Sequence, residues 1–127
     1  MTQEEKQLLI KDLCARIPNH VKVELHGEIC TCLGYFDDFV MLTSNTPLGQ
    51  QTNVANVKPY LRPMSSITEE EKIELKAITK GAIQTIGLED IVVTTDKGFD
   101  WLNAHHFDYR GLIEKGLALE APEGMYK

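Results

Sequence analysis

The chain has no apolar run approaching the roughly 20 residues that a membrane-spanning helix requires. Its opening, MTQEEKQLLIKDL, places acids near the front and charge inside the segment, which does not read as a secretory signal. A soluble cytoplasmic protein is therefore expected, without membrane attachment. Cysteine is scarce and odd in number: Cys14, Cys30 and Cys32 argue for reduced thiols and against a disulfide framework. Basic residues are too few and too scattered to track a phosphate backbone. Lys and Arg number 13 against 19 Asp and Glu, for a net charge of −6. The densest basic spots are Lys58 with Arg62 and Lys76 with Lys80, so nucleic acid is not an expected partner. Glycine-rich phosphate loops are missing too, since TPLGQQT and TKGAIQTIG hold isolated glycines without a cradle's spacing.

What remains is the composition of an ordinary globular domain. Hydrophobic residues make up 43% and charged residues 25% of 127 residues, enough to bury a core without staples. The expected organisation is a single domain over 1–127, with a subdomain boundary near 64–68 as the alternative. The expected fold class is α+β: an N-terminal helix, a small antiparallel sheet that could curl in an SH3-like way, and a helix-rich C-terminal half.

Thr2 and Glu5 have the spacing of a capping box, and Leu9, Leu13 and Ile17 form an apolar stripe that Pro18 ends. From His20 the period drops to two. Val21, Val23 and Leu25 alternate with polar residues, Gly27-Glu28 offers a turn into ICTCLGYF, and Asp37-Asp38 offers another into FVMLTS. Strict alternation puts Ile29, Thr31, Leu33 and Tyr35 on one face of the middle strand, and Cys30, Cys32, Gly34 and Phe36 on the other. Residues 44–52 read as a turn region, and Pro59 and Pro63 confine VKPYLRPM to a sheet edge or loop. Thr68 and Glu71 repeat the capping-box spacing ahead of a second helix that Gly87 is placed to end. DIVVTT reads as a further strand. A third helix begins near Thr95 or Asp96, and Asp108 is placed to cap a fourth, YRGLIEK, stopped at Gly116.

Chemistry-bearing residues concentrate in WLNAHHFDYR, residues 101–110. His105 or His106, oriented by Asp100 or Asp108, could act as a general base near neutral pH. No nucleophile stands at a telling position beside them. The packing account is also complete: Trp101, Phe107 and Tyr109 fill space, Asp108 caps, and the histidines suit a helix C-terminus. Cys30-x-Cys32 and His105-His106 both lack the spacing of structural zinc ligands, so neither metal nor cofactor is expected. A contact role falls instead on VKPYLRPM, where Tyr60 and Arg62 are residue types that interfaces favour, with Trp101 as a third candidate binding residue.

Two segments, VKPYLRPMSSITEEE (57–71) and WLNAHHFDYRGLIEKGLALEAPEGMYK (101–127), resemble a widespread group of short proteins of gut Bacteroidales genomes and of their phages and mobile elements. That group carries no established activity, so the resemblance transfers no catalytic residue. It implies a small accessory, structural or host-interaction protein. The combined expectation is a non-enzymatic binding or assembly module with a protein partner or self-association, including a homo-oligomer. The alternative is an enzyme or small-ligand pocket centred on 101–110.

Overall fold

The computed structural model describes residues 1–43, 49–79 and 96–126. Helix α1 spans Gln3–Arg16, and Thr2 and Glu5 close the expected capping box, each side chain accepting the other's backbone N–H at 3.1 and 2.9 Å. A 3₁₀ turn at Ile17–Asn19, with Pro18 inside it, ends the helix. The sheet strands are then β1 (Lys22–Leu25), β2 (Glu28–Phe36), β3 (Phe39–Leu42), β4 (Gln50–Asn53) and β5 (Lys58–Leu61). Helices α2 (Glu69–Thr79) and α3 (Asp96–Ala104) follow, and a two-residue strand β6 (Leu119–Glu120) returns to the sheet. The strand order is β4-β3-β2-β1-β5-β6, antiparallel throughout except for the β5–β6 pair. This is an α+β architecture.

Local chemistry explains most of these boundaries. The β1–β2 hairpin pairs Leu25 with Glu28, so its turn is His26-Gly27, one residue earlier than the sequence suggested. Both turn residues have positive φ (51° and 84°), the requirement of a type I′ turn whose twist matches the flanking strands. Asp37 at φ 52° serves the β2–β3 turn, as expected of Asp37-Asp38. His20 and His106 also adopt left-handed backbone, at 58° and 59°.

Three segments depart from the sequence reading. Residues 50–52, read as turn, belong to β4, a polar strand held by its pairing with β3 from Leu42↔Gln50 to Phe39↔Asn53. Cross-strand pairing overrides propensity there. Second, β5 lies inside the sheet order; β6 pairs only with Tyr60 and Leu61, which leaves Pro59 outside that ladder. Third, YRGLIEK forms turns and not a helix. Gly111 at φ 73° breaks right-handed helical geometry, and the Asp108 carboxylate accepts from Leu112 and Ile113 N–H at 2.8 and 3.0 Å. The stop at Gly116 does form, with Leu117 N–H bonding Leu112 O and Gly116 N–H bonding Ile113 O, the pair of bonds of a Schellman motif. The strand expected at DIVVTT and the helix end expected at Gly87 lie outside the described residues.

The core has two parts. The larger packs Leu9 and Leu13 of α1 on the inner sheet face of Val23, Cys30, Cys32, Val40, Leu42 and Leu61. The smaller gathers Met64, Leu75, Trp101, Leu102 and Phe107 between α2 and α3. Asp12 and Arg16 are 0% exposed and sit in α1 as a two-bond ion pair, at 2.9 and 3.1 Å. Arg16 also donates to Phe107 O at 2.6 Å, and Arg110 donates to Asp12 at 2.7 Å. This charged knot ties α1 to the segment that follows α3.

Candidate functional site

The two stretches singled out in the sequence, 57–64 and 101–110, lie side by side. Arg62 and Phe107 form a parallel bridge, with Arg62 N–H donating to His106 O at 2.7 Å and Asp108 N–H to Arg62 O at 2.8 Å. From this bridge the Arg62 guanidinium lies over the Phe107 ring at 4.2 Å and grips both oxygens of Glu71 at 2.7 Å each. Arg62 thereby holds the Glu71 carboxyl down at about 2, below its usual 4.5, with the Thr68 cap adding to the effect. Glu71 does double duty, because it also completes the capping box with Thr68.

Trp101 packs behind His105. Its ring stacks on Phe107 (5.7 Å between centroids) and on His105 (4.1 Å), and its indole N–H donates to Glu74 at 2.8 Å. Beside this cluster lies a cleft of about 520 Å³, lined by Arg62, Glu71, His105, Glu120 and Tyr126 among others. His105 Nδ1 stands 3.6 Å from Glu71, longer than a hydrogen bond.

His106 faces a different environment. It is buried, its ring stacks on Tyr126 at 3.8 Å, and its Nδ1 has no hydrogen-bond partner among the described residues. Burial, with the Arg16 charge second, pushes its basicity down to about 4, so the imidazole is neutral at physiological pH. Tyr126 donates its hydroxyl to Tyr60 O at 2.6 Å and accepts from Lys22 N–H at 3.0 Å, drawing the tail across β1 and β5. Burial drives that phenol up to about 12. Asp108 is buried and occupied by its two backbone N–H groups. The bridge therefore brings Arg62 and His105 to one cleft, with Trp101 packed behind His105. His106 and Tyr60 are connected to it through Tyr126, by ring stacking and by the Tyr60 carbonyl, and Asp108 does not line it.

The cysteines fit a reduced core. Cys30 and Cys32 are buried, and burial raises both thiols, that of Cys32 to about 11. Among the described residues, no group of three or more His, Cys, Asp or Glu is placed to hold a metal ion.

A second surface emerges that the sequence reading did not single out. A β-bulge between Cys32 and Gly34 shifts the register of β2 against β3. Past it the faces exchange: Phe36, paired with Phe39, joins Ile29 on the outer side. Tyr35, paired with Val40, falls on the opposite side from Phe36, where it remains 52% exposed and its hydroxyl interacts with Cys14 of α1. The outer face of β2 and β3 thus carries Ile29, Leu33, Phe36, Phe39 and Met41, between 41% and 66% exposed. The available signal was that ICTCLGYF is apolar at both parities, which a half-solvated strand does not need.

No helix among the described residues is long and apolar enough to cross a membrane. Comparison with known proteins finds no matching family model, curated protein or solved structure.

Proposed function

We propose that this protein is a non-enzymatic protein-interaction module whose contact surface is the outer face of β2 and β3, against a partner that presents an apolar patch of its own. The observation that carries this reading is the set Ile29, Leu33, Phe36, Phe39 and Met41 standing in solvent on one face of two paired strands. Half-exposed side chains of this size offer roughly 100 Å² apiece, so the set reaches roughly 500 Å², toward the upper end of the largest patch on an ordinary monomer. Single exposed apolar residues need no explanation, but five on adjacent strands do. The pocket alternative has weaker support. In the cleft, Arg62 is committed to Glu71 and His105 stands beyond hydrogen-bond reach of that carboxylate; Asp108, outside the cleft, is occupied by two backbone N–H groups.

An accessory protein that works by contact, in the cytoplasm, also fits the phage or mobile-element setting implied by the resemblance of 57–71 and 101–127. That support is associational.

The test is site-specific photo-crosslinking in cells expressing the full chain, with p-benzoylphenylalanine placed at Phe36 or, as a control, at exposed Glu70 of α2. Position 36 is expected to give a discrete adduct that position 70 does not, and Leu33→Ser is expected to abolish it. Equal smears from both positions, or an adduct indifferent to Leu33→Ser, would overturn the assignment of this face.

A further inference from the structure

Resting on that reading, we infer that the occupant of the face is a second copy of this chain, and that two copies stack outer sheet face on outer sheet face about a two-fold axis.

Area gives the first argument. Roughly 500 Å² of apolar surface, extended by flanking polar groups, approaches the roughly 800 Å² per partner of a standard interface. Homodimer interfaces are also the more apolar kind, about 65% non-polar. The flanks are in place. Gln51 and Asn53 border the patch from β4 through their pairing with Met41 and Phe39, while Lys22 and Glu24 border it from β1 opposite Thr31 and Ile29. An apolar centre with a polar rim is the anatomy that such a contact requires.

Charge gives the second. Two molecules of charge −6 repel overall, so the surfaces that meet must set opposite charges against each other. Charges of both signs border the patch, with Lys22 and Lys58 of one sign and Glu24, Asp37 and Asp38 of the other, the two aspartates forming the turn between Phe36 and Phe39. A face carrying both signs can also complement itself, because a two-fold axis sets each residue of the patch against the same patch of its partner. Stacked sheets sit about 10 Å apart with side chains interleaved, and the extended side chains of β2 and β3 suit that spacing.

The experiment is sedimentation velocity of the purified full chain over a micromolar concentration series. Self-association to twice 14.3 kDa is expected. Leu33→Ser and Phe36→Ser, at exposed positions that should still fold, are each expected to raise the dimer Kd at least tenfold. Ile73→Ser, which removes an exposed apolar residue from α2, should leave it unchanged. Circular dichroism confirms that each variant is folded. A wild-type chain that stays monomeric at high micromolar concentration overturns the inference, as does a dimer insensitive to both sheet substitutions. Monomeric protein combined with a discrete crosslinked adduct of another mass would overturn the second copy while upholding the protein-interaction face. Binding of the monomer to phosphatidylcholine vesicles through Phe36, without a protein adduct, would overturn both.

Discussion

Arg62 and Phe107 are joined twice, once through a parallel backbone bridge and once through the guanidinium lying 4.2 Å above the phenyl ring. This junction fastens the smaller α2–α3 core to the end of the sheet, since Arg62 directly follows β5 and Phe107 belongs to that core. The same guanidinium holds Glu71, the capping residue of α2. One arginine therefore links a strand end, a core ring and a helix start, and its carboxylate partner should govern the acid limb of stability.

The Glu71 carboxyl is held at about 2 in the folded chain against a usual 4.5. As pH falls, the unfolded chain takes up this proton first. The contribution is therefore complete above 4.5 and is lost as pH falls from 4.5 to 2, with a slope of at most about 1.4 kcal/mol per pH unit. In urea titrations across that range, Glu71→Gln is expected to be less stable at pH 6 and to show a flatter acid limb. An unchanged slope would remove Glu71 from this role.

His106 should act in a separate, higher window. Its folded value of about 4 lies below the usual 6.5, so the unfolded state binds this proton first as pH drops. Its contribution is whole above 6.5 and is lost between 6.5 and 4. His106→Asn keeps a residue that tolerates the left-handed backbone at φ 59° and should flatten this interval while leaving the limb below 4.5 intact. The ring's carbon-bound protons followed by NMR should give the midpoint directly. A value near 6.5 would contradict the burial argument.

Asp12→Ala should be the most damaging single change in α1. It removes the carboxylate from Arg16, which is fully buried and keeps the Phe107 carbonyl and the Tyr109 ring, and it takes the same ion-pair partner from Arg110. Breaking one side of a buried ion pair costs about 3–5 kcal/mol. Equilibrium denaturation of the variant measures this loss, and a loss below about 1 kcal/mol would show that water reaches Arg16.

Much of this fold was legible in the residues. Both capping boxes, the hairpin at Asp37, the start of α3 and the stop at Gly116 follow from local backbone chemistry and lie where the sequence put them. The misses are non-local. Nothing inside Gln50-Gln51-Thr52-Asn53 asks for a strand, since its backbone bonds are supplied by β3. The bulge at Leu33 depends on how β2 meets β3, and it alone moved Phe36 to the outer face, so strict alternation misassigned the residue that now defines the contact surface. The cleft was half visible. Arg62 and His105 were named from their types, but Glu71 was read only as a cap, because its second role depends on how the bridge between Arg62 and Phe107, distant in sequence, places the guanidinium.

Three of the four histidines, at positions 20, 26 and 106, occupy left-handed backbone. Such sites admit a small vocabulary of histidine, asparagine, aspartate and glycine, and they shut out β-branched side chains. As related chains drift apart, histidine at 20 and 26 is thus free to exchange with asparagine or glycine at little cost. A reader who equates histidine with reactivity would mistake that exchange for loss of a catalyst, when what persists is the bend in the chain.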